Sequence, residues 1–426
     1  MSASSNDNTG VLASLAPETR EMTESEVREV LFEAFSKVEL SGKRVLVIIP
    51  DSTRTAPIPL QFRLLNEIVG SEEKAAAVDY LVALGTHMPM DDAALSKLIG
   101  VEVRDGAADG HRVFNHLWDK DETFTQVGTL SAEQVAGFSE GRLSLEVAVQ
   151  VNRLALEYDL LVVCGPVFPH EVVGFSGGNK YYFPGISGRE MIDVTHWMGA
   201  LITNAATIGT PDTPMRRMID TAAAMIPTPK INVAMVMHGQ SMVGMYVGTM
   251  QGAWRAAVEL SGKLDIVYVE KPYKRALAVM PELYDDLWTG AKGMYKLEPA
   301  ITDGGEVVIY APHITEVSYS HGHILDEIGY HVRDYFLAQW DKFKGYPWGV
   351  LAHSTHVRGA GTYKNGVEAP RINVTLATGI PPERCEKIGL GYMDPATVNV
   401  EDWADREDEG ILLVRRAGEM LYRLKK

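Results

Sequence analysis

The sequence predicts an α/β protein made of two α/β domains, with the active site in the cleft between them. Three observations carry that expectation. Short apolar runs rich in β-branched residues, such as VLVIIP (45–50) and LLVVCG (160–165), read as strands buried on both faces of a parallel sheet. Polar loops and segments of helical period alternate with these runs, as a parallel sheet requires. The same rhythm restarts near residue 276, and 426 residues exceed the ~100–200 of one typical domain.

Taken in order, residues 1–21 are rich in Ser, Asn, Thr and Glu and are expected to form a flexible N-terminal tail. Thr23 and Glu26 make a capping-box signature, and Val27, Val30, Leu31, Ala34 and Phe35 follow at helical spacing. VLVIIP is the first buried strand. DSTRTAPIP is the loop at its carboxyl end, and LQFRLLNEIV (60–69) is the next helix. VDYLVALGTH (78–87) is a strand ending in a histidine, followed by a helix that starts at Asp91 and runs through Leu98. Residues 103–145 are polar and irregular, with FSEGRLS as a surface insertion. LEYDLLVVCG (156–165) is a third buried strand, and INVAMVMH (231–238) and IVYVE (266–270) extend an N-terminal α/β domain spanning 22–270. The charged, Pro-containing KPYKR (271–275) is the expected boundary. ALAVMP (276–281), a helical stretch at 287–300, EVVIYAP (306–312) and a strand at WGVLAHST (348–355) build a C-terminal α/β domain over 276–410. ILLVRR opens a final strand/helix segment, 411–426.

Composition excludes several classes. A net charge of −16 argues against a nucleic-acid surface, which needs clustered Lys and Arg. No run of ~18 apolar residues offers a membrane span. The first ~20 residues carry no apolar core of a signal peptide. Cys164 and Cys385 are too few and too distant for a disulfide framework and suit a reducing cytosol, so a cytoplasmic location is expected. The oligomeric state is left open.

Functional side chains gather where strands end. Asp51, Thr53 and Arg54 follow the first strand, His87 the second, and His170 and Lys180 the third, the convergence that a switch-point site requires. Residues 165–196, GPVFPHEVVGFSGGNKYYFPGISGREMIDVTH, add Ser176, Gly177, Gly178, Asn179 and His196 in one segment. Its glycines and prolines place these groups on tight loops rather than on one helix face. SGGNK has two readings. It is an anion-binding turn whose backbone N–H groups face a phosphate, or a nucleophile elbow, since 174–178 satisfies G-x-S-x-G. Pro169 interrupts the strand an elbow needs, and Pro184-Gly185 follows too soon for its helix, which demotes a hydrolase.

These loops together resemble the nickel-pincer lactate racemase family. DSTR with Arg54, GTH with His87, PHEVVGFSGGNK with His170 and Lys180, and PGISGREMIDVTH ending in His196 match its signature segments in order, over about residues 40–270. The resemblance implies a 2-hydroxy acid racemase or epimerase. It also implies a cofactor, the nickel complex of pyridinium-3,5-bisthiocarboxylic acid mononucleotide. Lys180 would bind it covalently through a thioamide, and His196 would be the protein ligand that completes a square-planar Ni(II) site with three pincer donors. Ser176, Gly177, Gly178 and Asn179 would hold the phosphate, helped by Asp51, Thr53 and Arg54. His87 and His170 would be the acid/base pair, suited by an unperturbed pKa of ~6.5. Arg54 would orient a substrate or cofactor anion. Maturation would require the cofactor's biosynthetic enzymes as partners.

The chain departs from the family's pattern in one place. A Gln and a Lys three residues apart commonly reach the substrate carboxylate there; DLWTGAK instead offers Thr289 and Lys292. The shorter threonine leaves room for a substrate larger or more polar than lactate. His313, His321, His323, His353 and His356 supply further polar groups, most of them expected at the surface. Two other functions compete. A nicotinamide-dependent 2-hydroxy acid dehydrogenase would want G-x-G-x-x-G after its first strand, and DSTRTAPIP has none. A non-catalytic cofactor-binding protein would keep Lys180 and His196 but would not need His87 and His170.

Overall fold

The structure is a computed structural model that describes residues 10–70 and 74–425. Its principal element is an eight-stranded mixed sheet. The strands are β1 (Val11–Leu15), β2 (Arg44–Ile49), β3 (Ala77–Val82), β4 (Ala107–Ala108), β5 (His111–Asn115), β6 (Leu160–Pro166), β7 (Lys230–His238) and β8 (Ser241–Gly248), in the spatial order β1-β8-β7-β6-β2-β3-β5-β4. From β7 across to β5 the strands are parallel; β1, β8 and β4 pair antiparallel at the two sides. The strands read as continuous apolar runs because both faces are covered. Val45, Val47 and Ile49 enter one hydrophobic core while Leu46 and Ile48 enter another on the opposite face.

A second sheet, parallel throughout, contains β9 (Tyr273–Val279), β10 (Ile301–Ala311), β11 (Asn373–Thr378), β12 (Gly391–Tyr392) and β13 (Ile411–Val414), ordered β12-β11-β10-β9-β13. Ile266–Val269 joins neither sheet. It pairs in parallel with Leu421–Leu424, with Val267 opposite Tyr422.

The helices that matter to the site are α1 (Glu24–Phe35), α2 (Ile58–Val69), α3 (Asp92–Ile99), α4 (Arg189–Ile202), α5 (Pro214–Ala224), α6 (Met250–Leu264), α7 (Leu287–Gly290), α8 (Lys292–Tyr295) and α9 (Trp348–Arg358). The capping box of α1 is complete: the Glu26 amide donates to Thr23 Oγ1 at 3.3 Å, and the Thr23 amide donates to Glu26 Oε2 at 2.8 Å. Asp91 caps α3 by accepting from the Ala94 amide at 2.8 Å.

Several expectations are corrected. The presumed tail holds a strand: β1 zips onto the β8 edge, with Ala13 opposite Val247, and residues 1–9 lie outside the described ones. The 103–145 stretch is less irregular than its polarity suggested, because it contributes β4, β5 and the strand Phe124–Leu130, which pairs antiparallel with Val147–Asn152. WGVLAHST is not a strand but most of α9. Every residue from Gly349 to Val357 is buried, so the helix displays no polar stripe to reveal its period. His196 sits on α4 rather than on a loop.

Candidate active site

β2 lies between β3 and β6, so the loops leaving the carboxyl ends of these three strands are neighbours. They bound a cavity of about 140 Å³. The β2 loop contributes Asp51 and Arg54, the β3 loop His87, and the segment after β6 contributes His170, Ser176, Gly177 and Lys180. His196 reaches it from α4. Thr289 and Lys292 reach it from α7 and α8, and His353 and His356 from α9. Helix α9 is fixed to α4 by the Gly349 amide, which donates to Asp193 Oδ1 at 2.8 Å. The cavity is therefore lined by elements that flank both sheets.

The two histidines nearest the strand ends are held in opposite senses. His87 bonds through Nδ1 to Asp51 Oδ2 in a very short contact. A carboxylate can only accept, so the proton sits on Nδ1 and the Nε2 lone pair is free. His170 accepts at Nδ1 from the Val172 amide, at 3.1 Å, which leaves its proton on Nε2. Burial works against the Asp51 charge, yet His87, Arg54 and the Thr53 hydroxyl together hold its carboxyl well below the usual range. Burial, reinforced by Lys180 and Arg54, pushes His170 well below an ordinary imidazole, so it is neutral.

Thr53 does not line the cavity itself. Its hydroxyl donates to Asp51 Oδ1 at 2.6 Å and accepts from Arg54 Nη1 at 2.7 Å, so one relay connects the guanidinium to the carboxylate that orients His87. The side chain of Lys180 is half-buried and faces the cavity. Burial first, then Arg54, pushes its ammonium down to about 7, which leaves much of the amine uncharged and nucleophilic near neutrality. Lys292 is pushed well below its ordinary value for the same two reasons. His196 Nδ1 is bonded to the Ile192 carbonyl at 2.6 Å, so Nε2 is left for a ligand. Burial pushes His196 down to about 4, so the ring is neutral and able to coordinate.

The SGGNK turn divides. Ser176 and Gly177 line the cavity, whereas Gly178 and Asn179 do not. A Cβ on Gly178 (φ +57°) would sit 3.1 Å from the Trp254 ring, and the Asn179 amide donates to Asp220 at 2.9 Å. The Ser176 hydroxyl is fully committed, donating to the Pro166 carbonyl and accepting from the Phe168 amide, both at 2.9 Å. It is no nucleophile, which removes the hydrolase reading on geometric grounds. Arg216, on α5, braces the turn from behind by donating to the carbonyls of Phe175 and Gly177 while stacking over Trp254 at 4.1 Å.

Some contributors escaped the sequence reading. Of the five C-terminal histidines, most of them expected at the surface, His353 and His356 line the cavity, and the Nε2 of buried His356 has no partner. Their i, i+3 spacing on a helix would have placed them on one face, had α9 been recognised. His313 and His323 are exposed, as expected. Glu171, adjacent to His170, supplies a carboxylate among Arg54, Lys180 and Lys292. Arg54, with the two lysine amines beside it as hydrogen-bond donors, gives this pocket groups that can meet an anion inside an acidic protein.

The N-terminal half of the chain matches a known family. Residues 1–209 match the family described as the lactate racemase N-terminal domain. The lactate racemase of Thermoanaerobacterium thermosaccharolyticum is 26% identical over 277 residues, and that of Lactiplantibacillus plantarum is 24% identical over 274. Each match spans 63% of this chain and 60% of the enzyme's own length. A crystal structure of a Thermotoga maritima protein superposes with a TM-score of 0.89 at 34% identity, covering 96% of this chain and all of that one. The apoprotein of the T. thermosaccharolyticum lactate racemase shares the fold, with a TM-score of 0.72 at 18% identity and coverage of 99% and 97%.

Proposed function

We propose that this chain, whose residues 1–209 match the lactate racemase N-terminal domain, racemises or epimerises a 2-hydroxy acid using a covalently held nickel-pincer nucleotide. The observation that carries the reading is one cavity wall offering a nucleophilic lysine, a coordinating histidine, and two further histidines held in opposite senses.

The residues present fit such a group. Lys180 is the half-buried amine able to form the covalent link, and His196 offers Nε2 to nickel. Among the described residues no three His, Cys, Asp or Glu side chains come together to hold a metal alone. A single protein ligand suits a metal whose other donors come from the nucleotide. Gly177 would meet its phosphate from the cavity side, while Ser176, whose hydroxyl and amide are both bonded within the turn, would shape that wall together with Gly178, Asn179 and Thr53. When bound, the nucleotide supplies the carbon that takes up and returns the α-hydride.

The chain's own residues do the rest. Arg54 and Lys292 converge on the cavity and hold the substrate carboxylate, which fixes C2 relative to the histidines. His87 accepts the hydroxyl proton at its free Nε2, while Asp51 stabilises the imidazolium that forms. His170 presents Nε2–H to the substrate oxygen at its own station on the wall. To serve the other enantiomer, whose hydroxyl points to the other side, His170 would have to release Nδ1 from the Val172 amide and carry its proton there, so that Nε2 could accept the hydroxyl proton in turn. Thr289 spends its hydroxyl on Asp286, 2.9 Å away, and so leaves the space beside C3 open to something larger than a methyl group.

The test is to produce the protein with nickel and the cofactor's biosynthetic enzymes and incubate it with single enantiomers of 2-hydroxy acids. Interconversion without added nicotinamide is the expected result. A requirement for NAD would refute the reading in favour of a dehydrogenase.

A further inference from the structure

A second chamber of about 130 Å³ opens from the cavity, sharing with it Asp51, Leu84, Thr86, His87, Trp288 and Thr289. A substrate held at C2 by His87 has one direction in which its carbon chain can grow, past Thr289 into this space. The far wall is polar: Asp285, Ser318, Tyr319, Ser320 and His321. His321 is only 8% exposed, and its Nε2 has no hydrogen-bond partner. A buried imidazole nitrogen left unpaired costs stability unless something arrives to satisfy it. Ser318 Oγ already accepts from the His321 amide at 3.1 Å, and its own proton remains to be given.

We propose that this chamber is a subsite for the uncharged hydroxyls of a long-chain polyhydroxy acid, so that the substrate is an aldonate rather than lactate. The inference rests on the racemase reading above and deepens it. Charge excludes the dicarboxylic alternative: Asp51, Asp285 and Asp286 line the chamber, and no Lys or Arg does, so a second carboxylate would be repelled. An aromatic tail would meet Trp288 favourably but leave His321 and the Ser318 hydroxyl without partners. A polyol satisfies both kinds of wall. Its C–H faces lie on Trp288, which is itself braced by the His353 ring stacked at 4.0 Å, and its hydroxyls meet the polar end. A site built to pair substrate hydroxyls discriminates steeply against analogues that lack them.

The experiment uses holoenzyme, with the adduct on Lys180 verified by mass, and gluconate, lactate, malate and phenyllactate as separate substrates. Gluconate should give the highest kcat/KM, at least about tenfold above lactate. His321→Ala and Ser318→Ala should each lower the gluconate-to-lactate ratio of kcat/KM several-fold, with folding checked by circular dichroism. Preference for lactate, malate or phenyllactate overturns the subsite and leaves the racemase intact. So does a pair of variants that slow all four substrates equally. If loaded holoenzyme interconverts none of the four, the racemase reading falls and the subsite with it.

Discussion

Asp51 and His87, 36 residues apart in the chain, are joined through Oδ2 and Nδ1 because β2 and β3 are adjacent parallel strands that end side by side. The pairing fixes the tautomer of His87 and points its lone pair elsewhere. Asp51→Asn should therefore lower turnover by about 10²-fold or more and shift the acidic limb of the pH–rate profile, without loss of the Lys180 adduct. His87→Ala and His170→Ala should each cost about 10²–10⁴ in turnover, also with cofactor retained. Rates in both directions, measured beside cofactor occupancy, decide this. A wild-type profile for Asp51→Asn would mean that the carboxylate is merely structural.

Lys180 carries a separate, cofactor-free prediction. With its ammonium pushed down to about 7, the apoprotein should react with a small acylating reagent at Lys180 ahead of surface lysines, with a rate that rises through a midpoint near neutrality. Arg54→Gln removes a neighbouring cation and should move that midpoint upward. Peptide mapping by mass spectrometry gives both numbers. A midpoint near 10 in the unmutated chain would contradict the buried-amine assignment.

How much of this was readable beforehand depends on burial pattern. The loops at the ends of β2, β3 and β6 were legible because strands covered on both faces appear as unbroken apolar runs, and their polar ends stand out. Helix α9 was not. Its residues from Gly349 to Val357 are buried all round, so apolar and polar positions show no 3.6-residue period and the run imitates a strand. That misreading hid the shared helix face of His353 and His356, not the residues themselves. Strand β1 escaped for a different reason: VLASL is short, follows a polar stretch, and owes its order to pairing with β8 more than 200 residues away. The Asp51–His87 bond is likewise a product of strand adjacency, which spacing alone does not encode.

His196→Ala should leave the fold intact and abolish nickel binding in protein matured with the cofactor pathway. The ring lies on α4 and is anchored by one bond to the Ile192 carbonyl, so its removal costs the helix little. Metal analysis after desalting reads the result directly. Stoichiometric nickel in the variant would reassign the ligand, with His356 and its unpartnered Nε2 the next candidate.

Acid should destabilise the fold through its buried imidazoles. Burial pushes His116, His321 and His356 from 6.5 down to about 4 each. Between about pH 6.5 and 4 the unfolded chain binds these protons and the folded chain does not, so stability falls as pH drops through that window. Each group contributes a slope of up to ~1.4 kcal/mol per pH unit. Asp265, pushed by burial up to about 7, has the opposite sign, as do Asp193, Asp220 and Asp286, while His170, His196 and His353, which burial also lowers, add to the acid-sensitive side. Urea denaturation at pH 7 and pH 4.5 should show a clearly lower midpoint in acid. An unchanged midpoint would mean that the folded state accommodates the charged rings.

Lys292 and Thr289 make the final pair of tests. The Lys292 side-chain nitrogen lies 4.5 Å from the centre of the Tyr284 ring on one side and faces the cavity on the other, where in the proposed reaction it would meet the carboxylate common to every 2-hydroxy acid. Lys292→Ala should therefore raise KM for all substrates alike, by about tenfold for a lost charge-assisted bond. Thr289 occupies the wall shared by the cavity and the neighbouring chamber. Thr289→Gln should project a longer side chain into the passage, lowering kcat/KM for long polyhydroxy acids and raising it for lactate. The two variants thus separate carboxylate recognition from chain-length selection. If Thr289→Gln slows lactate and gluconate equally, this position does not control access to the chamber, and the open space beside C3 must be governed from the opposite wall, by Leu84 and Thr86.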